Sequence, residues 1–316
     1  MVNRQRIMVT GGTGFIGSHV ALSLVSSGES CAVMTSNNGI VRTRLGCLMF
    51  NADLRDPEAL HDALCGYRPD VVIHLASWPD AEESPQQARE CLQNNAMGTL
   101  NLLEAMRASG CQRILYGDSS KVFGDIEGAC HGNLPAHPIS SYAISKLCGW
   151  ELCKLYQRLH GFRVVAIRPT LVYGPGQPHN LISYVSGRIL EGVSNISLQG
   201  GSQTRAPLYI DDAVDAYLAA MQRLDELSGR VIAIGGGLES SVFEIASMIV
   251  DIMGSDAKLC VETDNIRATD TRRSYCDNKY AAELLGWRPR ISLHEGLRRT
   301  LADHVDDRMD SYVTVI

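Results

Sequence analysis

The sequence predicts an α/β fold, a doubly wound parallel sheet with a smaller interleaved C-terminal lobe, and two features carry that expectation. Short apolar runs of β type alternate with helix-length segments through the first half of the chain, the order that builds a parallel sheet with helices on both faces. A glycine-rich turn, GGTGFIG at residues 11–17, joins the first run to the first helical segment. Taken in order, strands are predicted at Ile7–Thr10, Cys31–Met34, Cys47–Phe50, Val71–Leu75, Arg113–Tyr116 and Val164–Arg168. Helices fall between them at Phe15–Ser27, Pro57–Leu64, Pro85–Ser109 and Ser141–His160.

Beyond Arg168 the pattern loosens. A Gly/Pro-rich loop, YGPGQPHN, precedes a helix at Leu181–Glu191, a strand pair around Ile196 and Leu208, a helix from Asp211 and a strand at Val231–Ile234. Further helices are expected near Val242–Met253, Asp277–Leu285 and His294–His304. The expected division gives residues 1–172, with 205–235 returning to them, to the sheet domain, and residues 173–204 and 236–316 to the smaller lobe.

At 316 residues with 45% apolar and 20% charged residues, the chain has ordinary globular composition. A net charge of −6 speaks against bulk binding to nucleic acid or to an anionic membrane surface. An anionic ligand therefore needs local arginines. No apolar run reaches membrane-spanning length, and four apolar-run residues before the first glycines are far short of a secretion signal, so a cytoplasmic protein is expected. The ten cysteines form no C-x-x-C pair, which favours reduced, packed thiols over a metal site.

Gly12, Gly14 and Gly17 fit G-x-G-x-x-G, while Gly11, Gly14 and Gly17 fit G-x-x-G-x-x-G. Both spacings give a tight turn, a close backbone approach for a pyrophosphate and a helix N-terminus facing its charge. After a strand and before a helix, the turn points to a dinucleotide. The acidic residue that usually grips the ribose at the end of the second strand is absent, since Thr35 stands there, followed by Ser36, Asn37 and Asn38. The nearest arginines are Arg42 and Arg44, so the choice between NAD and NADP stays open.

Tyr142 and Lys146, in SSYAISK, lie four apart on one helical face. A nearby ammonium and an oxidised nicotinamide would both favour the phenolate, making a base for a sugar or alcohol hydroxyl. A second pair with the same spacing, Tyr275 and Lys279, comes after the completed sheet and reads as structural. The serines and lysine of GDSSK end a central strand, where open α/β sheets keep their chemistry. His74 reads as a packed core histidine, and Trp78 as a lid or a surface aromatic.

Together these segments resemble the extended short-chain dehydrogenase/reductase superfamily, in its nucleotide-sugar epimerase and dehydratase branch, over nearly the whole chain. Besides TGGTGFIG and YAISK, the resemblance rests on ADLRD, VIHLAS, NNAMGTLNLLEA, RPTLVYGPG, NLISYV, GSQTR, YIDDAVDA and RATD before LGWRP. It implies a Rossmann-type fold whose smaller lobe binds substrate, and a homodimer built on the helices at Pro85–Ser109 and Ser141–His160. For the cofactor it implies Gly11, Gly14, Phe15, Ile16, Gly17, Thr35, Asp53, Leu54, Leu75, Ala76 and Asn95, with Tyr142 and Lys146. For catalysis it implies Ser119, Tyr142 and Lys146, with Phe123 replacing the tyrosine of the family's VYG motif. For a nucleotide-diphosphate sugar it implies Asn180, Arg205 and Arg267, whose arginines suit phosphate oxygens. Ala206 and Pro207 stand where the family commonly has an acidic and an aromatic residue, which implies a reshaped sugar pocket.

Ser120 and Lys121 occupy the positions that direct the step after sugar oxidation in such enzymes. Dehydratases resemble one another in placing an acid and base there, whereas simple 4-epimerases place small residues. Ser120 is a poor acid for expelling hydroxide. Lys121 can bind a sugar hydroxyl, pair with a uronate carboxylate or act as a base. The leading expectation is an NAD(P)-dependent nucleotide-sugar epimerase acting through a transient ketone, with C4 the expected carbon. A 4,6-dehydratase using Lys121 and an NADPH-dependent ketosugar reductase are the alternatives, and a non-catalytic dinucleotide-sensing protein is the more remote one.

Overall fold

The computed structural model describes residues 4–36, 46–132, 134–178, 180–262 and 269–302. Among them, β1 (Arg6–Thr10), β2 (Ser30–Thr35), β3 (Leu48–Asn51), β4 (Val71–His74), β5 (Arg113–Gly117), β6 (Arg163–Pro169) and β7 (Val231–Ile234) form one seven-stranded sheet. All six pairings are parallel, in the order β7-β6-β5-β4-β1-β2-β3. The chain turns back between β1 and β4, so their C-terminal ends diverge and leave a crevice.

Alternation along the strands sends side chains into two cores. From β1, Ile7 and Val9 join a cluster with Val20 and Leu24 of α1 (Phe15–Ser26) on one face. Met8 joins the other, with Leu60 and Leu64 of α2 (Pro57–Tyr67), and with Trp150 and Tyr156 from residues 141–160. Both faces of the sheet are therefore covered, which explains why its strands read as continuous apolar runs.

The predicted helix at Pro85–Ser109 is three pieces: α3 (Pro85–Cys91), a wide π-helical turn at Leu92–Met97, and α4 (Gly98–Ser109). The turn seats Asn95 against neighbouring segments, and α4 enters at a glycine because a methyl group on Gly98 would lie 2.7 Å from Leu54. Helix α5 spans Ser141–His160 as expected. The Ser140 hydroxyl accepts from the Ala143 amide at its start, and Gly161 adopts left-handed φ of 71° at its end.

The expected strand pair around Ile196 and Leu208 is not a pair. Residues Asn195–Gln199 pair in parallel with Lys258–Glu262, and Leu208–Tyr209 pair with Val172–Tyr173. Two-residue strands at Thr204–Arg205, Ser240–Ser241 and Arg273–Ser274 form a further small sheet. Helices α6 (Leu181–Leu190), α7 (Ile210–Gln222), α8 (Val242–Ile252) and α9 (Lys279–Leu285) keep the predicted order. All ten cysteines are free, six of them buried.

Candidate active site

The C-terminal ends of β1, β4, β5 and β6 open into a cavity of about 730 Å³. One end is the glycine turn. Gly11 has φ of +66°, and a methyl group there would lie 2.7 Å from the Ala76 backbone. A methyl group on Gly17 would meet the Gly11 carbonyl oxygen at 2.1 Å, and Gly14 donates its amide to that oxygen at 2.9 Å. Gly12 instead packs against Val33. The cavity is lined by Gly11, Gly14 and Gly17, together with Phe15, Ile16 and Leu75, so the G-x-x-G-x-x-G spacing is the one that faces it. No side chain caps α1, and its first turn holds no acidic residue.

Ser119, Tyr142 and Lys146 all line the cavity, with a side-chain hydrogen bond between Ser119 and Tyr142. Their placement follows from how α5 lies on β5. A methyl group on Gly149 would lie 2.3 Å from the Tyr116 hydroxyl, and that hydroxyl donates to the Lys146 carbonyl at 2.9 Å. Glycine thus lets the helix approach the strand, and the tyrosine fixes its rotation. The Lys146 ammonium rests 4.6 Å from the Tyr116 ring centroid. Burial lowers Lys146 to about 8, opposed by Asp118 and Cys153. Burial, with the charges of Asp80 and Asp118, raises the Tyr142 phenol, and a hydrogen bond with the Ser119 side chain opposes that rise.

Asp118 lies within the GDSSK segment, where the sequence marks only the serines and the lysine. Its carboxylate is buried, accepts from Arg168 Nε at 2.8 Å and Nη2 at 2.7 Å, and accepts from the Ser119 amide at 2.8 Å. The pair ties the ends of β5 and β6 and orients the Ser119 backbone. An acidic residue directly after a central strand was the available signal.

Ser120 and Lys121 come next on a short turn, Ser120–Phe123, that also lines the cavity. The Lys121 ammonium donates to Asp80 Oδ2, from the loop after β4. That loop is held in several places. Trp78 donates its amide to Asn95 Oδ1 at 2.6 Å and its indole to Gln87 at 2.9 Å, and Glu83 accepts from the Ser141 amide at 2.7 Å. Trp78 is a partly exposed part of this strap.

At the far end, Asn180 and Arg205 line the cavity. Asn180 caps α6 by accepting from the Ser183 amide at 2.8 Å and donates to Gln177 at 2.6 Å. Arg205 is held by Asp270 at 2.5 Å. Arg273, which no sequence motif marks, lines the same end and pairs with Glu239 at 2.6 Å. Arg267 lies outside the described residues, as do Asn37, Asn38, Arg42 and Arg44.

Five expected cofactor residues do not line the cavity: Thr35, Asp53, Leu54, Ala76 and Asn95. Thr35 shares a 2.9 Å hydrogen bond with Thr13. Asp53 is engaged by Arg55 Nη2 at 2.7 Å, which holds its carboxyl below the usual range. Leu54 packs beside Gly98, and Ala76 backs Gly11. Asn95 is buried, donating to Ser145 Oγ at 2.9 Å while holding the Trp78 backbone. Tyr275 and Lys279 do not line the cavity: the Tyr275 ring packs against Arg273, and Lys279 pairs with Asp277. His74 bridges Thr10 at 2.7 Å and Thr99 at 3.0 Å, and burial lowers it to about 3.

Residues 7–235 match the NAD dependent epimerase/dehydratase family. The chain belongs to that family. A putative UDP-glucose 4-epimerase of Methanocaldococcus jannaschii is 32% identical over 312 residues, covering 93% of this chain and 97% of that one. A GDP-6-deoxy-D-mannose reductase of Pseudomonas aeruginosa is 29% identical, covering 95% and 97%. A crystal structure of UDP-glucuronic acid 4-epimerase from Bacillus cereus, in complex with UDP-glucuronic acid and NAD, has a TM-score of 0.87 at 28% identity, covering 95% of this chain and 99% of that one. The glycine turn of this epimerase/dehydratase family member fits the dinucleotide such a family uses. Methyl groups would fill the cradle at Gly11 and Gly17, and the uncapped start of α1 suits a pyrophosphate.

Proposed function

We propose that the chain epimerises a UDP-hexose at C4, by transient oxidation to a ketone and return of hydride to the opposite face. The observation that carries this reading is the meeting of Ser119, Tyr142 and Lys146 in one cavity with the glycine turn. Gly11, Gly14, Phe15, Ile16, Gly17 and Leu75 would hold the dinucleotide, with Thr35, Asp53, Leu54, Ala76 and Asn95 supporting it from outside the cavity. When bound, the nicotinamide supplies reversible hydride acceptance at the sugar carbon.

The chain's own residues handle the proton. Tyr142 takes it from the reacting hydroxyl, and Ser119 hydrogen-bonds the same oxygen. The Ser119 hydrogen bond opposes the rise that burial, Asp80 and Asp118 impose on the phenol, and Lys146, four residues on along the same helix face, would add positive charge when protonated. Asp118 keeps that lysine charged by opposing its desolvation. Asn180 and Arg205 would form the diphosphate end, where Arg205 would exchange part of its contact with Asp270 for phosphate oxygens, and Arg267, outside the described residues, is assigned to the same substrate.

Dehydration is disfavoured because Ser120 offers no strong acid and Lys121 is engaged as a donor to Asp80. A reductase shares the triad but needs fresh reduced cofactor for each turnover. Incubation of the purified protein with UDP-glucose and no reductant, with the products separated by chromatography, tests the choice. Appearance of UDP-galactose supports epimerisation, whereas conversion only of ketosugars with NADPH sinks it.

The same reading extends to assembly. Leu92 and Met97 on the π-helical turn, and Ile144 and Leu159 on α5, are exposed apolar side chains on the two expected dimer helices, and they support a homodimer. Ten free thiols support a reducing, cytoplasmic location. No helix among the described residues is long and apolar enough to cross a membrane.

A further inference from the structure

We infer that Asp80, through its pair with Lys121, determines sugar specificity, selecting a hexose with hydroxyl groups at this wall over a uronate. The inference rests on the nucleotide-sugar function proposed for the cavity and names the class of sugar.

Both residues line the cavity beside Ser119, Ser120 and Tyr142, yet they come from different loops, 41 residues apart. Lys121 side-chain exposure is 36% and that of Asp80 is 21%, so the pair is partly open. Lys121 donates to Asp80 Oδ2, while Asp80 Oδ1 is buried and has no donor. A carboxylate oxygen in that state is short of a hydrogen bond. A sugar hydroxyl that reaches the pair can donate to Asp80 and accept from Lys121. A uronate carboxylate can only accept, so it gains nothing from Asp80, whose negative charge repels it and already balances that of the ammonium.

The rest of the wall offers a uronate little compensation. Four cationic side chains among the described residues line the cavity, and three of them, Lys121, Arg205 and Arg273, have carboxylate partners. The fourth is Lys146, set against the Tyr116 ring beside Tyr142. Hydrogen bonds fix the loop that carries Asp80 on both sides of it. Gln87 donates to the Pro79 carbonyl at 2.9 Å, and Glu83 accepts from the Ser141 amide at 2.7 Å. The charge of Asp80 also reaches Tyr142, which places the pair near the reacting hydroxyl.

The test measures binding of UDP-glucose and UDP-glucuronate by titration calorimetry with NAD present, for the native chain, Asp80→Asn, Lys121→Met and the double variant. Thermal midpoints check that each folds. The native chain is expected to bind UDP-glucose at least tenfold more tightly. Asp80→Asn keeps the side-chain shape and frees the ammonium, so it should move the ratio at least tenfold toward UDP-glucuronate, and adding Lys121→Met should abolish that gain. A native preference for the uronate, or a ratio that Asp80→Asn leaves within twofold, overturns the inference while leaving epimerisation intact. Failure of the folded native chain to bind either sugar overturns both.

Discussion

Tyr142 and Lys146 are set against each other by the same burial, which makes one harder to ionise and the other easier to discharge. Removing the phenol hydroxyl in Tyr142→Phe should lower turnover by about 10²- to 10⁴-fold, while UDP-sugar binding by calorimetry stays within about threefold. Lys146 leaves a signature in stability. A base whose folded value is near 8, against 10.5 in the unfolded chain, is carried charged at a cost of about 3 kcal/mol at neutral pH. That cost is fully present below about pH 8 and fades as pH rises toward 10.5, where the unfolded chain still binds the proton that the folded one has lost. Lys146→Met should therefore unfold at higher denaturant than the native chain at pH 7, with the gap closing by about pH 10.5. The spacing of Tyr142 and Lys146 was legible in the sequence because one helix face sets it. Of the partners that tune them, Asp118 was signalled only by its place directly after a central strand, and Asp80 was not legible, since it reaches the site from a loop that no local pattern links to Tyr142.

The loop after β4 and the π-helical turn work as one element. Asn95 gives the loop its anchor by accepting from the Trp78 amide and donating to Ser145 on α5. Asn95→Ala removes the acceptor of the part-buried Trp78 amide and the donor to the buried Ser145 hydroxyl, and should cost about 1–3 kcal/mol in chemical denaturation. Because the loop carries Asp80, the KM for UDP-glucose should also rise; an unchanged KM would mean that the loop keeps its position without this anchor. The motif around Asn95 points to a cofactor contact, and in the structure its buried side chain holds the loop behind the wall. Strands of the main sheet were legible to within two residues at each end because each is a continuous apolar run. The two-residue strands of the second half carry no periodicity, and the partner of Asn195–Gln199 lies far along the chain at Lys258–Glu262. No window of sequence holds that pairing.

Across the molecule, a crevice at the turning point of the sheet receives the glycine turn from one side and the Arg205 end from the other. Leu92 and Met97 on the π-helical turn, and Ile144 and Leu159 on α5, remain exposed. Met97→Glu combined with Ile144→Glu should convert a dimer to a monomer in light scattering at micromolar concentration, and a native chain already monomeric there would refute the homodimer. The chemistry of the cavity is tested most directly by proton NMR of the purified protein with UDP-glucose in D₂O without added reductant. Hydride held and returned within the site predicts UDP-galactose with no deuterium on its carbons. A 4-keto-6-deoxy product carrying deuterium at C5 would contradict epimerisation and make the chain a dehydratase.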